Sequence, residues 1–502
     1  MTATPHPTAD PPRGGDLRYR SSSGRWVIAA TVLGSGMAAI DATVIGIALP
    51  TIGRDFHASV GTLQWVVTGY TLTLSSLLLL GGSLGDRYGR RRIYLVGVAW
   101  FALASAACAV SGGSTQLIVT RLLQGVGGAL LTPGSLAILE ASFARDDRSE
   151  AIGAWSGLGG VATAAGPLLG GYLIAAASWR WIFVINIPIG IAVLVVSARH
   201  LPESRDPTAT GRVDVAGAAL ATASLAAIAY ALIEGPADGW TSATVAASLA
   251  VGVSGTAAFL VVESRSSDPM LPLGLFRSRQ FAVTNGVTFV VYAGLGGTLF
   301  LLPVVLQVVD HYSPLESGLA LLPITVVMLA FSARSGRLAT AIGPRLQMSV
   351  GPVVVGMGLV LLSRAPDGAT YVTSVLPAVL VMAAGLAATV APLTSTALSS
   401  VSENRSGLAS AVNNDVARLG SLIAVAVLPA LGGITGLSYL YPDALAHGFR
   451  RAVLIAGVCC AVGGVVAAVG IRNPPRPTGS AGRSADTLRH CALEATPLRE
   501  QG

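Results

Sequence analysis

Apolar residues run through this chain in long blocks separated by short polar breaks. The blocks fall at about 26–48, 62–82, 93–111, 116–138, 151–175, 181–198, 213–233, 241–262, 281–308, 316–333, 347–362, 371–394, 407–431 and 451–471. At about 1.5 Å rise per residue each is long enough, some barely, to cross a hydrocarbon core of about 30 Å as a helix. The pattern predicts an all-α membrane protein of fourteen transmembrane helices.

The polar breaks give a direction to these spans. With the N-terminus placed inside, the inner loops hold Arg87, Arg90, Arg91, Arg92 and a dozen further arginines, and both tails add more. The outer loops hold only Arg54, Arg180, Arg364, Arg450 and Arg451. Cytoplasmic loops carry the basic excess, and a miscount by one span would exchange the two sides downstream. Both termini are therefore expected in the cytoplasm, with 1–25 and 472–502 as disordered tails. No cleavage site typical of a signal peptide precedes the first span.

Composition agrees. The 502 residues are 52% hydrophobic and only 11% charged, against about 25% charged in soluble chains. The net charge is +7 and every one of the 32 basic residues is arginine, a bias that suggests a high-GC bacterial genome. Because the arginines sit in short loops, an anionic membrane explains them better than a nucleic acid partner. Cys108, Cys459 and Cys460 lie in apolar blocks and Cys491 in the tail, without metal-ligand spacing. Without lysine there is no standard phosphate-binding loop, and no nucleophile elbow appears. Neither a cofactor nor a metal is expected, and an enzyme is the least favoured class. Any energy must come from an ion gradient, and titratable aspartates favour protons.

The break after the second block reads Gly81–Arg92, GGSLGDRYGRRR. Its Gly82, Asp86, Arg87, Gly89 and Arg90 resemble the signature loop of the major facilitator superfamily of secondary transporters. Gly336-Arg337-Leu338-Ala339-Thr340 through Gly343-Pro344-Arg345 looks like a worn second copy, with Thr340 where the first has Asp86. Gly166-Pro167-Leu168-Leu169-Gly170-Gly171 resembles the motif of the proton-antiporting exporters, with Ala162 in place of the usual leading glycine. Trp179-Arg180-Trp181 with Asn186 and Pro188, and Tyr312 through Pro323, are similar to the fourteen-span drug:proton antiporter family. The resemblance implies two six-helix halves, 26–198 and 281–471, with the substrate site at their interface. The linker 199–280 would then carry two extra helices outside the transport core.

Charged groups inside spans are costly and point to function. Asp41 lies in the first span, about 10 Å below its outer end, and Arg121 lies about 8 Å into the fourth. We expect Arg121 to set the proton affinity of a cavity carboxylate, Asp41 first; the bland alternative for Asp41 is a place near the outer interface. Asp415 either titrates in the cavity or pairs with Arg418 three residues on. Trp65, Tyr70, Gln124, Gln307, Asn413, Asn414 and Arg418 are the expected cavity residues, although Gln307 fits the outer rim equally well. Asp86 is expected to latch the halves by meeting the N-terminus of the helix that starts near Gly407. Arg87 and Arg90 would bond nearby carboxylates or helix-end carbonyls.

These features imply a monomeric exporter that moves amphipathic small molecules against protons. The alternatives are an exporter of one metabolite and a non-transporting sensor or scaffold.

Overall fold

The computed structural model describes residues 15, 17–206, 213–266, 269–365, 370–402 and 405–473. The expected tails therefore lie mostly outside the described residues, as does Cys491. The described residues hold fourteen helices long and apolar enough to span a bilayer. They are α1 (Ser22–Phe56), α2 (Val60–Tyr88), α3 (Arg90–Ala109), α4 (Ser114–Ser142), α5 (Arg145–Ala176), α6 (Trp181–His200) and α7 (Val215–Asp238). There follow α8 (Ala243–Arg265), α9 (Arg279–Val308), α10 (Pro314–Ile342), α11 (Pro344–Ser363), α12 (Tyr371–Ser399), α13 (Ser406–Gly432) and α14 (Pro442–Gly470). Successive helices alternate in direction. We call the end where α1 starts the near face and the other end the far face.

Local chemistry places the helix starts. Ser21, Ser59, Asp214, Ser242 and Ser278 each accept a backbone N–H from the first turn of the helix they precede. Ser313 and Glu316 form a capping box at α10. Several helices outrun their apolar blocks. α1 continues through Arg54 and Asp55 to Phe56, and α14 begins nine residues before 451. Arg450 and Arg451 thus lie within a helix rather than in a loop, and Arg450 donates to Ala365 O at 3.2 Å.

The halves repeat each other contact by contact. In the first, α2 packs on α4, α4 on α3, α1 on α5, and α6 on α1 and α3; in the second, α10 packs on α12, α12 on α11, α9 on α13, and α14 on α9 and α11. The two are joined along two seams, α2 with α13 and α5 with α10. The extra pair, α7 and α8, lies over the first seam, with α7 touching both α2 and α13.

The near-face loops repeat too. A single glycine turns α2 into α3 and another turns α10 into α11: Gly89 at φ 114° and Gly343 at φ 87°. Each donates its N–H four residues back, to Gly85 O and Ala339 O. In each half the segment after the sixth span binds the start of the third span. Glu203 accepts from Arg91 N at 3.2 Å, and Asn473 accepts from Arg345 N at 3.0 Å.

The stretch before α1 is docked rather than free. Leu17 is buried and bridges Phe143, while Tyr19 N donates to Asp147.

Candidate coupling and substrate site

Asp41 and Arg121 meet inside the first half. Arg121 Nη1 lies 2.5 Å from Asp41 Oδ2, and both residues are buried, 0% and 3% exposed. Arg121 also donates from Nε to Val66 O at 3.1 Å and from Nη1 to Gln124 Oε1 at 2.6 Å. Gln124 Nε2 donates to Asp41 Oδ1 at 2.8 Å and to Ser105 Oγ at 2.6 Å. Asn186 Nδ2 donates to the same two atoms, at 3.2 and 3.0 Å. Tyr70 lies over the guanidinium, 4.5 Å from ring centre to Cζ, with Phe183 further off at 5.8 Å. Charges so far from water persist only when paired and hydrogen-bonded. Here α1, α2, α3, α4 and α6 all contribute. Arg121 Nη2 and Asn186 Oδ1 have no hydrogen-bond partner, which leaves one donor and one acceptor unused within the cluster.

The depth differs from the expectation. Because α1 extends to Phe56, Asp41 lies fifteen residues, about 22 Å, from its far end. It is a mid-helix carboxylate and not an interfacial one. Ser105 and Asn186 were not expected in this cluster. The signal available for Asn186 was its amide in the apolar start of α6.

The expected cavity residues separate. Gln124 and Tyr70 are buried in the Asp41 cluster rather than lining open space. Trp65 faces the extra pair: its Nε1 donates to Glu234 Oε1 on α7 at 2.9 Å, and its ring lies near Tyr230. Gln307 Nε2 donates to Ile47 O across the halves at 3.0 Å. Asn413 donates to Asn285 Oδ1 and Thr288 Oγ1 on α9, so it stays within the second half. Asn414 is exposed and Arg418 half-buried. Asp415 makes no ion pair with Arg418 within 4 Å. Its Oδ1 and Arg418 Nε are both buried without a hydrogen-bond partner.

At the far face the halves are sealed. Gln64 Nε2 donates to Val425 O and Ala426 O at 2.6 and 3.0 Å, and Val60 N donates to Gly436 O at 2.8 Å. Tyr439 Oη donates to Ala58 O at 2.9 Å. Burial pushes this hydroxyl above the usual tyrosine range, so it remains a donor. The Gly-Pro motif belongs to the second seam. Gly166 and Gly170 pack on Thr43 and Val44 of α1, Gly171 lies against the backbone of Pro314 and Leu315, and Gly318 against the carbonyl of Pro167. A side chain at Gly171 or Gly318 would meet backbone of the opposite half. Trp179 is buried and donates to Asp55, whereas Trp181 is exposed.

Toward the near face several glycines are uncovered. Gly153, Gly157 and Gly159 on α5, Gly286 on α9 and Gly407 on α13 have no neighbouring heavy atom within 4 Å of where a Cβ would stand. The expected latch is correspondingly absent. Asp86 pairs with Arg90 at 2.7 Å, its own backbone O accepts from Asp206 N, and α13 starts at Ser406 with no side-chain cap. Asp86 is thus bonded within the first half and the segment that follows it. Arg90 also donates to Ala137 O of α4 at 3.4 Å.

A bundle of two like halves joined across one face, with a charge pair buried midway along the helices of one half, is a carrier's architecture. Comparison with known families decides which. The profile of the Major Facilitator Superfamily matches residues 31–425. The chain belongs to that superfamily. Among its relatives, the tetracenomycin C resistance and export protein of Streptomyces glaucescens is 36% identical over 80% of this chain and 74% of its own. The methylenomycin A resistance protein of Bacillus subtilis is 35% identical, over 81% and 87%. The multidrug resistance protein Stp of Mycobacterium tuberculosis is 35% identical, over 80% and 74%. Solved structures of low identity share the fold. A bacterial homologue of the human lysosomal transporter Spinster superposes with TM-score 0.64 at 16% identity, covering 90% of this chain and 97% of its own. A peptide transporter in complex with sulfate gives 0.65 at 15%, covering 90% and 96%. This major facilitator protein is a multi-pass membrane protein with fourteen candidate spans.

Proposed function

We propose that the protein exports amphipathic small molecules from a bacterial cell in exchange for protons. The near face is cytoplasmic, and the conformation described here is the one that loads cargo. The observation that carries the coupling is the Asp41–Arg121 pair, buried where α1, α4 and α6 meet. A proton and Arg121 compete for the same carboxylate. Protonation of Asp41 releases Arg121, loosens the contacts among Gln124, Asn186 and Ser105, and lets the first half change its packing on the second. Cargo binds between the halves, near Asn414 and Arg418, and leaves when the far-face seal opens. The names of the relatives as resistance and export proteins support an outward direction.

On this reading the protein works as a monomer and a carrier, without enzymatic chemistry. The six-helix halves form the transport core, and α7 and α8 stand outside it. Asp86 engages α13 only in the opposite, outward-open state, which favours latching as its role. The test is a substrate screen in proteoliposomes with an imposed pH gradient. Cargo movement driven by acid on the far-face side supports the proposal. A purified protein that moves no cargo and carries no substrate-stimulated proton flux would point to a sensor or scaffold.

A further inference from the structure

A second site lies away from the path between the halves. Beneath the extra pair, on the near-face half of the α2–α13 seam, is a cavity of about 190 Å³. Ser75 and Ser76 of α2, Leu225 of α7, Phe259 of α8, Phe276 of the following linker and Asp415 of α13 line it. Its wall is almost wholly apolar, and Asp415 is the only charged residue among those lining it. Asp415 Oδ1 and Ser75 Oγ are both buried without a hydrogen-bond partner. A dry apolar cavity of about 150 Å³ is large enough to take benzene, so this one has room for a single aromatic ring. A carboxylate oxygen buried without a partner is costly. An organic cation would relieve that cost, and its apolar body would fill the remaining space.

We propose that this cavity binds the aromatic or alkyl head of a lipophilic ammonium ion, with Asp415 as counter-charge, as a lateral site distinct from the central one. The extra helices then have a function: they roof a binding site that a twelve-span bundle would leave as an open seam. The position also explains why Asp415 leaves Arg418 unpaired although they share a helix face. Asp415 lines the lateral cavity, and Arg418 is not among the residues that line it.

The proposal rests on the membrane placement above but not on transport, because binding is read without a gradient. The protein is embedded in nanodiscs of neutral lipid and titrated with a benzyl-dimethyl-alkylammonium probe and its uncharged carbon isostere. The cation is expected to bind at least tenfold tighter than the isostere. Asp415→Asn should remove that preference. Leu225→Trp, which fills the cavity from a helix outside the core, should weaken the cation at least tenfold, and the smaller change Ala221→Leu should act in the same direction if the tryptophan disturbs folding. Equal binding of cation and isostere would make the cavity a lipid-tail pocket and overturn the proposal. Loss of binding in Asp415→Asn with none in Leu225→Trp or Ala221→Leu would place the cation in the central path and overturn it too. Failure of pH-driven export in vesicles with this binding intact would count against the transport reading alone.

Discussion

Asp41 and Arg121 are eighty residues apart in sequence and 2.5 Å apart in space, both sealed from solvent. Removing one charge strands the other. Loss of one member of a buried pair costs about 3–5 kcal/mol, whereas loss of both is far milder. Asp41→Asn should therefore destabilise the protein strongly and abolish coupling. Asp41→Asn with Arg121→Met should recover most of the stability and none of the coupling. Thermal melting in detergent, paired with vesicle transport, reads both.

The far-face seal depends on two glycines. Valine at Gly171 or Gly318 would push its side chain into backbone of the other half and hold the seam apart. Export should fall to a few per cent of wild type. In a background without native cysteines, Ile47→Cys, buried behind the seal, should react with an impermeant thiol reagent from the far face in either valine variant. It should stay unreactive in the parent.

Gly89 and Gly343 test the repeat. At φ 114° and 87° a side chain is strained, and Cβ atoms there would also strike Glu203 and Asn473. Such strain costs about 1–3 kcal/mol. Gly89→Ala and Gly343→Ala should each lower stability by about that amount in urea or thermal unfolding. A change at only one of the two would mean that the halves do not use these turns alike.

Asp86 separates latch from fold. Its pair with Arg90 is partly exposed, and exposed pairs contribute about 0–1 kcal/mol. Asp86→Asn should leave melting almost unchanged and cut transport several-fold. Full transport would remove the latch from the mechanism.

Much of this architecture could be read from the chain. A long unbroken apolar block satisfies its backbone in hydrocarbon only as a helix, so each such block became one of the fourteen. The helix ends could not be read, because hydropathy marks the part of a helix inside the membrane and not the polar turns beyond it. Arg54 and Asp55 look like loop residues, yet α1 carries them, and this moved Asp41 from about 10 Å to about 22 Å below the end of its helix. The Asp41–Arg121 contact was legible because an unpaired charge in a span needs a partner and few were available. Trp65 was not: its partner Glu234 lies 169 residues away in an extra helix, and an aromatic residue in a span looks the same whether it faces cargo or a neighbouring helix. The Asp86 latch is the part the structure does not show: here the carboxylate pairs with Arg90, four residues on.

The most direct measurement is proton movement itself. Wild type and Asp41→Asn are reconstituted with a pH-sensitive dye inside the vesicles, and an exported cargo is added to a preset gradient. The account predicts cargo-stimulated proton flux in the wild type and none in Asp41→Asn, with cargo still bound. Equal flux in the two proteins would contradict it.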